Sequence, residues 1–453
     1  MESSSRGSFG TKIGAVLAAA GSAVGLGNIW RFPTEVGNHG GAAFILLYLA
    51  CVFFIGVPVM VSEFLIGRHT HANVIHAFSR LAPRSWWRVE GVLGVVAAYV
   101  ILGYYIVISG WTLFYLIQSL CGNLSGNQDY TANFGEFVSN PWKPVVCAGV
   151  FMLASHLVIA RGVQKGIELC SKVMMPLLFI IIIVLVICGF SMPGSAEGMR
   201  FLLQPDFSKV TAGVVVSAMG QAFFSLSLGM GCLCTYASYF TEKTDLVKTA
   251  RSVIVIDTMV AILSGFFIFP AVFSVPGVTA DAGPGLVFIT LPNVFNLAFH
   301  GVPFLGYLFS GLFYLLLLLA ALTSAISLHE AVTAYVLESF HLSRKKAASI
   351  VTFTCFLLGI VCSLSFGPWS KYTFGGLSIF DCFDFFASKI LLPLGGLIIS
   401  LFVGWRLDKK LVEAEITNYG TVPFRFFRIF IFVLRWLVPL AIVLIFVNEL
   451  ISK

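Results

Sequence analysis

Charge is scarce in this sequence. Asp, Glu, Lys and Arg make up 11% of its 453 residues, where a soluble domain carries about 25%. Folded as soluble domains, a chain of this length would lack the charged side chains to cover their surfaces. Polar runs are short as well. With 44 Phe and 58% hydrophobic residues, and a mean hydropathy of +0.94, a solvated, disordered chain is excluded. The ten cysteines are too dilute for a disulfide scaffold, and the 43 glycines follow no triplet period. These exclusions leave an all-α polytopic membrane protein.

Chemistry-bearing residues are equally sparse. Cys51, Cys170, Cys188, Cys232, Cys234, Cys355 and Cys362 sit inside apolar runs, where cysteine acts as a small hydrophobe. Cys232-Leu233-Cys234 has neither the spacing nor the histidine neighbours of a zinc site. Cys121 and Cys147 fall near one membrane face, and no disulfide between them is expected. The eight histidines make no zinc-protease pattern, and no GxxxxGK[ST] phosphate loop occurs. No enzyme activity is expected. The polar start, Met1 to Gly10, leads into a glycine-studded apolar run rather than a cleavable signal.

A spanning helix needs about 20 mostly apolar residues. Eleven candidates follow one another at 12–36, 41–67, 89–121, 143–160, 167–190, 212–240, 248–274, 303–340, 347–366, 376–405 and 424–450. The net charge of +7 is concentrated in every second connection. Arg6 and Lys12 form the first cluster, followed by Arg68 to Arg88 and by Arg161 with Lys165. Further along come Lys243 to Arg251, Arg344 to Lys346, and Arg406 to Arg428. The loops 122–141, 191–211 and 275–302 carry few basic residues. The positive-inside rule therefore predicts a cytoplasmic N-terminus, and an odd number of spans puts the C-terminus outside.

Two spans are interrupted at membrane depth. The first contains Ala20-Gly21-Ser22-Ala23-Val24-Gly25-Leu26-Gly27-Asn28, and the sixth contains Phe224-Ser225-Leu226-Ser227-Leu228-Gly229-Met230-Gly231. Each glycine weakens a helix by about 1 kcal/mol. Unpaired backbone groups are tolerated in hydrocarbon only where they line a cavity or lie buried in protein. Close packing through small residues accounts for one such segment. Two of them, five spans apart, instead suggest an inverted-repeat secondary transporter with its site at the midplane. The repeats would cover about 11–190 and 212–405 of one transmembrane domain, with an additional helix at about 424–450.

The run from Ala20 to Pro33, AGSAVGLGNIWRFP, resembles the first-helix signature of the neurotransmitter:sodium symporter family, in the style of its bacterial amino-acid transporters such as the leucine transporter. Ser62 to Arg68, Gln221 to Gly231, Gly283 to Phe288 and Ala320 to Ser324 extend the likeness along most of the chain. The resemblance implies sodium-coupled symport of an amino acid by alternating access across a bacterial cytoplasmic membrane. It implies two sodium ions. Ala320, Thr323 and Ser324 share one helix face by spacing. Taken alone, that face is better explained by hydroxyls bonding back to their own helix. The resemblance pairs it with the carbonyls of Gly21 and Val24 as one sodium site. The other would use Ala23, Asn28, Ser225 and Asp257, completed by the substrate carboxylate.

Asp257 lies in an apolar run, where an ionised carboxylate costs about 2.5–3.5 kcal/mol on insertion scales. Family members that need chloride have Asn at this place and a hydroxyl residue four positions on. Asp257 and Ala261 depart from that pattern, so transport is expected to be independent of chloride. By resemblance the substrate pocket is lined by Ala23, Gly25, Leu26, Gly27, Ile101, Tyr105, Phe224, Ser225, Ser227, Met230, Ser324 and Leu328. Monoamine transporters carry Asp where Gly25 stands, which favours an intact amino acid. Met230 replaces the leucine transporter's Phe and, with Ile101 and Leu328, suggests a neutral hydrophobic, even aromatic, substrate. Ser22 replaces that transporter's Asn.

Arg31 and Asp384 resemble the outer gate pair, with Tyr105 and Phe224 as the lid and Asp381 sharing the charge. Arg6 and Glu338, with Tyr239 nearby, resemble the inner pair. Gly166 and Pro176 resemble the family's unwinding element in span five, which admits water to the sodium near Thr323. Glu63 is expected to accept hydrogen bonds from unwound backbone. Glu330 and Lys389 have no role assigned from sequence. The expected partners are the small amino acid and the lipid bilayer, with no nucleic acid.

Overall fold

A computed structural model describes residues 7–124, 126, 129–275, 285–298 and 303–451. Among the described residues, nine helices are long and apolar enough to cross a membrane. They include Ala42–Thr70, Arg88–Leu120, Lys143–Ala160, Val163–Phe190, Leu246–Phe273 and Arg344–Leu364. A tenth span is a bent pair, Lys12–Ala23 and Gly27–Asn38, with 53° between its halves. The sixth expected span is also in two pieces, Ala212–Ser225 and Cys232–Ala237, joined by non-helical backbone. Both interruptions fall where the glycines stand.

Local chemistry sets the ends. Thr11 caps the first helix through the amide of Gly14, Thr211 caps the sixth span, and Asp245 caps the seventh. Each offers a side-chain oxygen to an otherwise unpaired first-turn amide. The fifth span opens with a π-helical stretch at Val163–Glu168, and Pro176 lies inside the α-helix Leu169–Phe190 that follows. Such stretches leave the regular hydrogen-bond ladder and are common at functional sites.

The spans fall into two packed groups. The third, fourth, eighth and ninth contact one another closely, while the first, second, sixth and seventh form a second group holding both broken helices. The first span touches the eighth across the junction. Large apolar side chains point outward on the periphery: Phe53, Val173, Ile180, Ile187, Phe353 and Phe432 are all exposed. Over a molecule this size, such a belt belongs against lipid rather than water. The described cysteines, all ten, are free, including Cys121 and Cys147.

Candidate functional site

The first helix stops at Ala23 because Val24 turns to an extended conformation, φ −71° and ψ 107°. Regular α-helix does not resume at once, since a π-helical turn runs from Gly27 to Arg31. In the sixth span the chain leaves the helix after Ser225. Ser227, Gly229 and Gly231 then take positive φ angles of 55°, 77° and 70°. Ser227 is the costly member, since a side chain is rarely found there. Its hydroxyl donates to the Ser22 carbonyl at 2.8 Å, so the two breaks are bonded to each other. Gly229 has no space for a side chain, because a Cβ would stand 2.4 Å from the Leu392 carbonyl oxygen. Its amide donates to Glu63 at 2.8 Å, as expected for that carboxylate.

Two clusters of oxygens flank the junction. In the first, the Thr323 hydroxyl lies 3.3 Å from the Val24 carbonyl and 3.0 Å from that of Ala320. The Ser324 hydroxyl lies 3.1 Å from Val24 O and 3.5 Å from Gly21 O. The five residues expected from sequence therefore converge, drawn from spans one and eight. Ser324 also reaches the Ser22 carbonyl at 3.4 Å. This is a small cage of neutral oxygens, suited to a hard monovalent cation whose water it can replace.

The second cluster centres on Asp257, fully buried. Its carboxylate accepts from Asn28 Nδ2 at 2.7 Å, Ser225 Oγ at 2.9 Å and the Tyr48 hydroxyl at 3.3 Å. Tyr48 is an addition to the residues expected from sequence, and its signal there is a hydroxyl in an otherwise apolar stretch of the second span. Asn28 Oδ1 accepts the Gly25 amide at 3.0 Å, so its NH2 faces Asp257. A cation between these groups needs the amide turned the other way. Ala23, grouped with this cluster from sequence, lines the adjoining central cavity.

That cavity, about 40 Å3, lies between the breaks. All twelve residues expected for the substrate site line it, joined by Ser22 and Ser327. Ser327 lies one turn beyond Ser324 on the same face, and its hydroxyl donates to the Ser324 carbonyl at 2.8 Å. Tyr105 OH accepts the Leu26 amide at 3.3 Å, which aims the phenol at the half-helix end. The volume holds little more than a water, so an amino acid is admitted only as the lining side chains withdraw.

Above the cavity, the Arg31 guanidinium lies 4.3 Å from the centre of the Phe224 ring. Cation and lid are thus one unit, since the ring face attracts the charge. No direct Arg31–Asp384 ion pair is present among the described residues; Arg31 is held by the ring instead. Asp381, expected to share that charge, is engaged locally. It forms a capping box with Ser378 at the start of Ile379–Asp384, a local role that its position three residues after a serine could have signalled. Beyond the lid, Arg31, Glu35, His39 and Lys389 line an outer vestibule of about 380 Å3, which places Lys389.

Of the residues expected for the inner gate, Arg6 lies outside the described residues. Glu338 accepts Asn73 through both its amide, at 3.0 Å, and its side chain, at 2.6 Å. Tyr239 donates to Glu330 at 2.6 Å. Arg344 grips the same carboxylate through two nitrogens, at 2.5 and 3.1 Å. Glu330 therefore belongs to a buried network that ties spans six, eight and nine together. Phe9 closes the same end, its ring 6.1 Å from those of Tyr236, Tyr239 and Phe240. In the fifth span, a Cβ on Gly166 would meet the Val158 carbonyl oxygen at 2.0 Å. No larger residue fits that turn.

Comparison with known proteins places the chain in a family. The model of the sodium:neurotransmitter symporter family matches residues 6–147 and 132–453. An uncharacterized sodium-dependent transporter of Bacillus subtilis (strain 168) is 41% identical over 97% of each chain. One from Haemophilus influenzae is 36% identical over 98% of each. The human sodium- and chloride-dependent GABA transporter 2 is 27% identical, covering 89% of this chain and 74% of its own length. The crystal structure of MhsT in complex with L-phenylalanine superposes with a TM-score of 0.90 at 43% identity, over 98% of this chain and 99% of that one. A multi-span helical bundle with paired broken helices, matched along its whole length by sodium-dependent transporters, belongs to the sodium:neurotransmitter symporter family.

Proposed function

We propose that the protein carries a neutral, hydrophobic L-amino acid, aromatic ones included, into the cell together with two sodium ions and without chloride. The observation that carries this reading is the central cavity itself. It is bounded by two half-helix ends, the hydroxyls of Tyr105 and five serines, and the apolar Ile101, Met230 and Leu328, next to both oxygen clusters. A carboxylate is attracted to free amides at a helix start. Gly27 supplies one, and the Leu26 amide, held by the Tyr105 hydroxyl, supplies a second once that hydroxyl turns to the carboxylate. The ammonium meets carbonyls and hydroxyls near Ala23, Phe224 and Ser227. Ile101, Met230 and Leu328 take the side chain, and no acidic or basic residue lines the cavity. Phenylalanine bound to MhsT supports a hydrophobic substrate.

One sodium sits among Gly21, Val24, Ala320, Thr323 and Ser324, and the other among Ala23, Asn28, Ser225 and Asp257. The fixed charge of Asp257 takes the place of chloride. Arg31 with Asp384 on the outer side, and Arg6, Glu338 and Tyr239 on the inner, close the path in turn. Gly166 and Pro176 let the fifth span open toward the inner sodium. The inverted repeats run about 11–190 and 212–405, the N-terminus is cytoplasmic and the C-terminus external, in a bacterial cytoplasmic membrane.

Uptake of labelled phenylalanine, tryptophan and leucine into proteoliposomes tests this. Accumulation is expected only with an inward sodium gradient and is expected to survive replacement of chloride by gluconate. Accumulation indifferent to sodium would overturn the coupling. Loss in gluconate would overturn the role given to Asp257.

A further inference from the structure

A groove of about 610 Å3 lies far from the substrate cavity, where the starts of the first and seventh spans meet the segment after helix Lys409–Ile416. Three cations face it: Lys12 at the first residue of span one, Lys243 in the preceding connection, and Lys248 in the first turn of span seven. None of the three forms an ion pair among the described residues. Asp245, on the same rim, is committed to capping: it accepts the Lys248 amide at 2.9 Å. The lining therefore carries three positive charges against one negative, and an oxygen of that carboxylate is engaged at the helix start. Its other wall is apolar. Ile13, 69% exposed, and Leu17 one turn deeper continue from Lys12 along span one toward the bilayer.

Charge at the membrane edge and an apolar wall descending from it match an amphiphile with an anionic head. A soluble anion satisfies the lysines but leaves the wall bare, and a neutral lipid does the reverse. We infer that this groove binds the phosphate headgroup of an anionic phospholipid, with an acyl chain laid along Ile13 and Leu17. The bound lipid would bridge spans one and seven at the end of the chain where span one starts. Basic pockets between spans are a known means of holding such headgroups. The inference needs only that these spans cross the membrane, so it stands or falls separately from the substrate and the coupling ions.

Native mass spectrometry of the full chain in detergent, titrated with phosphatidylglycerol or phosphatidylcholine, tests it. One phosphatidylglycerol is expected to be retained in preference to phosphatidylcholine. The variant Lys12→Gln/Lys243→Gln/Lys248→Gln is expected to lose that preference, by about fivefold per lysine removed. Lys409→Gln/Lys410→Gln, which removes basic residues outside the groove, keeps it and controls for general charge and folding. Equal retention of both lipids would overturn the proposal, as would full retention by the triple variant. Displacement by 20 mM inorganic phosphate alone, a concentration of roughly that order being ample for a free-anion site, would show a soluble-anion site and overturn the lipid assignment.

Discussion

At the residue scale, Gly25 and Asp257 decide the most. A Cβ at position 25 would stand 2.4 Å from the Ser324 hydroxyl and 3.2 Å from that of Tyr105. The first serves the proposed substrate and a sodium alike, and the second serves the substrate. Overpacking of this kind costs about 1–3 kcal/mol. Gly25→Ala is therefore expected to weaken amino-acid binding by about tenfold or more, read by equilibrium binding of labelled substrate in detergent; unchanged affinity would show that the cavity is not the site. Asp257 carries the charge argument. Removing a charged acceptor from a buried network loses about 1.5–3 kcal/mol per bond, so Asp257→Asn is expected to cut sodium-driven uptake at least tenfold, an order of magnitude set by that range. Chloride alone should not rescue it, since Ala261 supplies no hydroxyl. Adding Ala261→Ser is expected to make uptake depend on chloride. A double variant equally active in gluconate would count against the exchange of fixed for bound charge.

At the element scale, the broken helices were legible because glycine and serine clusters stand out in apolar runs. Gly25, Gly27, Gly229 and Gly231 placed both breaks to within a few residues. The interactions that tether them were harder to see. Tyr239, Glu330 and Arg344 lie on three different spans, and nothing local in the sequence announces that they meet. Phe9 reads as one more aromatic until its three ring neighbours are known. Asp381 is the opposite case: its local capping role is legible from a serine three residues before it. The fifth span makes the element-scale prediction. Pro176 removes one rung of its ladder about two turns beyond the π-helical stretch that holds Gly166. Pro176→Ala restores that rung and is expected to leave substrate affinity in detergent intact while slowing proteoliposome turnover several-fold. An affinity loss matching the rate loss would place Pro176 in binding rather than in release.

At the scale of the whole molecule, distant parts must be held while others move, and the clearest such tie joins the second span to helix Lys409–Ile416. Arg68 and Glu415 are 2% and 3% exposed and meet at 2.6 Å. Arg68 also reaches the Thr244 and Glu415 carbonyls and Asn418. Glu415 lies outside the spans. Burial by itself would raise its pKa, but hydrogen bonds from His69 and Tyr419 and the Arg68 guanidinium outweigh that and pull it from the ordinary 4.5 to about 2. A carboxylate depressed on folding adds stability that is complete above the unfolded value and fades as pH falls toward the folded one. Glu415→Gln leaves Arg68 buried without its counter-charge, a loss worth about 3–5 kcal/mol. The variant is therefore expected to unfold at a clearly lower temperature than the parent at pH 7, followed by intrinsic fluorescence in detergent. Because the parent alone loses its advantage on acidification, the two melting temperatures should converge as pH drops from about 4.5 toward 2. A gap that stayed constant across that range would mean that packing around Glu415, and not its charge, holds the helix to the second span.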